Sequence, residues 1–121
     1  TRLDRVKPDE RFKASGIDMR WVIDDASMGS EYGALGYAKY APGAEHKPHR
    51  HDNAEEFVIY TRGKGVRFYD GKEYEVEAGD IVYTPKGVVH GLRNTSDEPL
   101  EMWVIYSGAT SFDKTGYTPV E

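Results

Sequence analysis

The stretch HKPHRHDNAEEFVIY, His46 to Tyr60, gathers three of the chain's four histidines within six residues and follows them with Glu55 and Glu56. On a strand, residues i and i+2 point to the same side, so His49 and His51 present two imidazoles to one surface. That spacing suits two ligands of one metal ion, although His-x-His is a common pattern on its own. Asp52 to Ala54 offers a turn, after which the next strand can return a carboxylate to the same surface. Period-2 alternation leaves two choices, Glu56 with Val58 and Tyr60 or Glu55 with Phe57 and Ile59. Both sets are apolar, so alternation does not say which glutamate meets the imidazoles. His46 stands three residues before His49 and cannot share its face on a regular strand, which places it at the surface or the mouth rather than among the ligands.

Short β-prone runs must position these groups. IDMRWVI, GALGYAKYA, EFVIYT, VRFYD, KEYEV, DIVYT and LEMWVIY are separated by Gly, Pro, Asp and Asn. Asp70-Gly71 between two of them is a hairpin signal, and NTSDEP marks another reversal. Ahead of them, VKPDERFKASG reads as a short helix, with Pro8 near its first turn and Gly16 past its end. Many short strands without intervening helices predict one all-β sandwich or small barrel over residues 1–121. Fifteen aromatic residues (nine Tyr, four Phe, two Trp) suit a β interior that is not wholly apolar.

Composition narrows the chemistry. There is no cysteine, which excludes disulfides, thiolate metal ligands and a cysteine nucleophile. The net charge of −5 comes from acids and bases interspersed, with no basic stripe, so neither nucleic acid nor an anionic membrane is expected as a partner. No apolar run approaches the length of a membrane span, and a cytoplasmic location is the expectation. Phe57 and Ile59 alternate with Val58 and Tyr60, and Trp103 and Ile105 with Met102 and Val104, so two strands are apolar on both faces. Either the N-terminal segment or a second subunit of a homodimer must cover the outer one.

The motif spacing resembles the cupins. GAEHKPHRHDNAEEFVIYTRG has the form G-x5-H-x-H-x4-E-x6-G, and GDIVYTPKGVVHGLRN the form G-x5-P-x-G-x2-H-x3-N. Gly43, His49, His51, Glu56 and Gly63 fill the first; Gly79, Pro85, Gly87, His90 and Asn94 fill the second. The register of this resemblance selects Glu56 over Glu55. It implies a double-stranded β-helix, the jelly-roll barrel, with His49, His51, Glu56 and His90 binding one divalent metal inside. Three nitrogens and one oxygen suit Fe, Mn, Co, Ni, Cu or Zn. A buried carboxylate beside imidazoles is costly without a cation, which agrees independently. The motif glycines fit turns of positive φ, Pro85 fixes a bend, Asn94 satisfies backbone groups of the following turn, and Glu55 belongs outside.

Acid–base chemistry beside such a metal needs a proton carrier, and tyrosine is plentiful. Tyr60 shares a face with Glu56, and a phenol next to a metal has its pKa lowered towards working pH. Tyr37, Tyr83 and Tyr106 also sit in strands that could line a cavity. Within the cupins the chain is similar to the small dimethylsulfoniopropionate lyases, and the late SFDKTGYTP offers Tyr117 as the match to a functional tyrosine near the end of those enzymes. Their first tyrosine, two residues after the ligand glutamate, is replaced here by Val58. These readings together imply a mononuclear metal enzyme acting on a small oxygenated substrate by Lewis-acid-assisted proton abstraction, of lyase or isomerase type. A dioxygenase using Fe or Cu and a non-catalytic small-ligand binding or sensor module are the alternatives.

Overall fold

The computed structural model describes residues 1–120. Its strands are β1 (Ile17–Ile23), β2 (Gly33–Tyr40), β3 (Glu45–His51), β4 (Glu55–Arg62), β5 (Lys64–Tyr69), β6 (Lys72–Glu77), β7 (Ile81–Thr84), β8 (His90–Arg93), β9 (Leu100–Ser107) and β10 (Tyr117–Pro119). They form two five-stranded antiparallel sheets, β1-β2-β9-β4-β7 and β10-β3-β8-β5-β6. This is the expected double-stranded β-helix. Asp70 (φ 48°) and Gly71 (φ 85°) form the two-residue turn between β5 and β6, with Tyr69 opposite Lys72. The four motif glycines, Gly43, Gly63, Gly79 and Gly87, all have positive φ.

Alternation in the first sheet is resolved by burial. Met19, Ala38, Tyr40, Glu56, Val58, Tyr60, Met102, Val104 and Tyr106 point between the sheets and are buried. Their neighbours make two outward rows in register: Leu35, Ile105, Phe57 and Tyr83, then Tyr37, Trp103, Ile59 and Ile81. Ile81 is 72% and Tyr83 47% exposed. The N-terminal segment is tied to this face at the β1 strand, where Arg20 donates to the carbonyls of Leu3 (3.4 Å) and Val6 (3.0 Å). A cleft of about 640 Å³ runs between Leu3 and Trp103.

The N-terminal helix is shorter and tighter than expected. It is a 3₁₀ segment, Glu10–Ser15, whose cap Asp9 accepts from the Arg11 backbone N–H at 3.1 Å, and Gly16 (φ 77°) ends it. Pro8 lies before the cap rather than in the first turn. The segment inserts Phe12 into the interior, edge-on to Trp21, His46 and Phe112, so it plugs the barrel instead of coating it. Four small elements escaped the sequence reading. Two are 3₁₀ turns, Leu3–Arg5 and Phe112–Lys114. The others are α1 (Asp25–Met28), closed by an Asp24–Ser27 capping box, and β10.

Candidate metal centre

Strand β3 supplies His49 and His51, β8 places His90 opposite His49, and β4 brings Glu56 from the other sheet. One ligand atom from each of the three histidines lies within 4.8 Å of the others, and all three are buried. The Glu56 carboxylate closes the cluster, 3.6 Å from His51 Nε2 and 3.4 Å from His90 Nε2. Glu55 is on the outer face, beside the Tyr83 hydroxyl, and is not among the buried residues. The choice that alternation left open therefore falls to Glu56 by burial, at 7% exposure.

The far side of each ring sets its tautomer. His49 Nδ1 lies 2.7 Å from the Lys47 carbonyl, and His90 Nδ1 3.0 Å from the Val88 carbonyl. A carbonyl only accepts, so each Nδ1 carries the proton and each Nε2 keeps its lone pair. His51 reaches the same state through Thr115. The Thr115 hydroxyl donates to the Phe112 carbonyl at 2.7 Å, which leaves its oxygen to accept from His51 Nδ1 at 2.8 Å. Three bare Nε2 lone pairs thus converge beside one carboxylate, and the buried His90 Nε2 has no hydrogen-bond partner. That donor set fits a divalent transition metal, with the Nδ1 partners holding the rings in place.

Electrostatics favour the same neutral state at His49 and His51. Burial, with His46 and His90 adding to it, lowers His49 to about 2, and burial lowers His51 to about 4. Burial would raise the Glu56 carboxyl, but the surrounding His90, His51 and His49 hold it below its usual range. Burial would lower His90, yet Glu56 beside it raises it. The carboxylate is ionised and needs cations around it.

His46, expected at the surface or the mouth and not among the ligands, is half-buried and lies outside the three-histidine cluster. Its ring stacks on His49 at 3.9 Å and 20°, faces the interior, and is lowered to about 4 by burial. The reason is an irregularity in the β3–β8 ladder between His46 and His49, around Pro48, which breaks strict period 2. β8 can follow the distorted strand because Gly91 faces it. A Cβ there would stand 2.9 Å from the His46 carbonyl oxygen and 3.1 Å from Pro48 N.

The tyrosines separate clearly. Tyr37 faces out and donates to Glu101 at 2.6 Å, and Tyr83 is on the same outer surface. Tyr106, opposite Glu56, brings its hydroxyl 3.5 Å from His51 Nε2. Tyr117 lies over the imidazoles, its ring 5.1 Å from His49 and 5.8 Å from His51, and is 38% exposed. Tyr60 is 2% exposed, and burial pushes its hydroxyl well up. Asn94 does what its motif position implies: its Nδ2 donates to the Tyr40 and Glu98 carbonyls and its Oδ1 accepts from Ser96.

The cluster opens into a cavity of about 50 Å³ lined by Glu56, His46, His90, Tyr60, Arg67 and Tyr106 among apolar side chains. Tyr40 and Arg67 were not among the sequence candidates. Arg67 was hidden because β5 inverts the usual pattern: Val66 and Phe68, apolar, face outward while Arg67 is buried. Its only signal was a charged residue flanked at i−2 and i+2 by Gly65 and Tyr69.

The cupin domain family profile matches residues 36–106, more than half of the chain. An oxalate-binding protein of Thermotoga maritima is 26% identical over 89 residues, covering 74% of each chain. The dimethylsulfoniopropionate lyase DddW of Ruegeria pomeroyi is 33% identical over 76 residues, which is 61% of this chain and 49% of the lyase. Other curated relatives also extend beyond the match, which spans 63% and 66% of two of them. The solved structure of a predicted oxalate decarboxylase from T. maritima superposes with a TM-score of 0.77 at 24% identity, covering 88% of this chain and 96% of that one. It has the same fold.

Proposed function

This chain belongs to the cupin domain family, and we propose that it is a mononuclear metal-dependent enzyme acting on a small oxygenated molecule, of lyase or isomerase type. One observation carries the reading: three tautomer-fixed Nε2 lone pairs and an ionised Glu56 converge where His90 Nε2 has no other partner. His49, His51, Glu56 and His90 would hold the ion. When bound, it supplies Lewis acidity towards a substrate oxygen, so that a neighbouring C–H can lose its proton without a change of metal valence.

The chain's own residues do the rest. Phe12, Trp21 and Phe112 pack against the cavity and exclude water. Tyr106 holds a hydroxyl beside the cluster, and Tyr117 brings a second phenol over it from the more exposed side. These two are better placed than Tyr60 to exchange a proton with a molecule at the imidazoles. Tyr60, the sequence's first candidate, contributes beside Arg67. Relatives named as a dimethylsulfoniopropionate lyase and an oxalate decarboxylase support a lyase. Val58, in place of that lyase family's first tyrosine, argues for a different substrate.

A second reading, a non-catalytic binding protein, is favoured by the oxalate-binding relative matched over 74% of its length. The test is turnover of small hydroxy and keto acids by Mn-, Co-, Ni- or Zn-loaded protein under strict anaerobiosis. Persisting turnover supports the lyase or isomerase; oxygen uptake matching turnover, confined to Fe- or Cu-loaded protein, replaces it with a dioxygenase. Tight binding of one compound without turnover replaces it with the binding protein.

Assembly belongs to the same proposal. The outward apolar rows need a cover, and a second copy suits them because the rim carries both charge signs, in Arg20 with Asp18 and Arg62 with Glu101. A two-fold interface pairs such a rim with itself.

A further inference from the structure

Among the described residues Arg67 is the only lysine or arginine that is buried, at 6% exposure. Its Nη2 donates to the Thr84 hydroxyl at 2.7 Å and, more weakly, to the Tyr83 carbonyl at 3.5 Å. The guanidinium also borders the Tyr60 hydroxyl and lies 4.9 Å from the Tyr69 ring centroid. Every one of these partners is neutral. The ion pairs among the described residues include none to Arg67, and Glu56, the acid of the same cavity, is engaged by His51 and His90. A buried guanidinium without an anion is costly, and its planar fork matches a carboxylate.

We infer that Arg67 is the anion anchor of this site, and that the molecule it takes is a small carboxylate reaching from the guanidinium towards the imidazole cluster. This rests on the metal-enzyme reading for the other end of the ligand, and names its substrate class. Arg67, His90 and Glu56 line one cavity of about 50 Å³, so an anion of only a few heavy atoms can meet both ends. One carboxylate, from Glu56, set against a guanidinium and a divalent ion leaves the cavity with excess positive charge, which an anionic ligand offsets. Thr84 and Tyr60 orient the guanidinium. Because Thr84 lies opposite Glu56 on β7, Arg67 spans from one sheet to the other across the interior.

The test measures binding of oxalate, malonate and lactate to the full chain by calorimetry, with and without metal, against oxamide as an uncharged control. Arg67→Met should weaken carboxylate binding roughly 10- to 100-fold, the worth of charge-assisted hydrogen bonds. Arg67→Lys should fall between, with metal uptake unchanged in both. Should Arg67→Met fail to fold, the Arg67 Nε–Hε resonance of the wild-type protein reports directly, and it should move on saturation with the bound acid. Carboxylate binding equal in Arg67→Met and wild type, a resonance that stays still, or no carboxylate binding to wild type in either state overturns the inference. If no metal is taken up yet the metal-free chain binds carboxylates through Arg67, the enzyme reading fails and the anchor stands. If metal is taken up and Arg67→Met binds as wild type, the reverse holds.

Discussion

Strands β4 and β5 each bury one charge among the same walls, and they resolve it differently. On β4, Glu56 is followed inward by Val58 and Tyr60, and it meets two imidazole nitrogens within 3.6 Å. On β5, Arg67 sits inward between Gly65 and Tyr69 and meets only neutral acceptors. The acid's partners are built into the chain, ready to share a cation with it. The base has orientation but no counter-charge. A buried charge with internal partners marks a permanent centre; one without them marks a place where the missing charge comes and goes with a ligand.

The largest expected effect breaks the β4 side. His49→Ala, His51→Ala or His90→Ala should each abolish stoichiometric metal uptake, and Glu56→Gln should weaken it far more than Glu55→Gln, measured by metal analysis after dialysis. Equal losses in the two glutamate variants would remove Glu56 from the ligand set. A smaller effect should come from Thr115→Val, which leaves every ligand in place but frees His51 Nδ1. Outer partners of this kind typically matter by 10- to 100-fold in metal affinity, and an unchanged affinity would show that Thr115 does not set the ring.

Metal-free protein should lose stability as pH falls. His46, His49 and His51 are held at about 4, 2 and 4, whereas in the unfolded chain they take up protons near 6.5. Between about 6.5 and 4 the unfolded state therefore binds more protons, and stability declines as pH drops through that window, by up to about 1.4 kcal/mol per pH unit for each histidine. Glu56, held low, adds a loss of the same sign at lower pH. His90, raised in the fold, acts oppositely: its contribution is full below about 6.5 and fades as pH rises through its folded value. Thermal unfolding at pH 7, 6 and 5 checks the sign; rising stability towards pH 5 contradicts it.

The least disruptive change concerns the outer face. Ile59→Lys should convert a dimer to a monomer with little loss of fold, since Ile59 points away from the interior. Light scattering reads this, and a wild-type monomer would leave the outer rows without the proposed cover.

Much of this is legible in the sequence. The His-x-His pair, the hairpin at Asp70-Gly71 and the seven β-prone runs follow from local rules that burial did not override. The sequence could not separate the two glutamates by alternation, because β4 is apolar on both faces. It could not foresee the stacking of His46 on His49, because the irregularity at Pro48 is a tertiary accommodation, made possible by Gly91 on another strand. It missed Arg67 because Val66 and Phe68 carry the apolar pattern on the wrong face. The N-terminal helix was foreseen in place but not in kind, since one inserted ring, Phe12, rather than an amphipathic face anchors it.

The central claim is that the imidazoles and Glu56 form one metal centre. Titrating metal-free wild-type protein with Mn, Fe, Co, Ni, Cu and Zn while following its unfolding temperature tests it most directly. Saturation at about one ion per chain, a rise in Tm of several degrees with at least one metal, and the loss of both in His90→Ala are expected. Wild-type protein that gains no stability from any of the six ions, or that gains it equally in His90→Ala, contradicts the account.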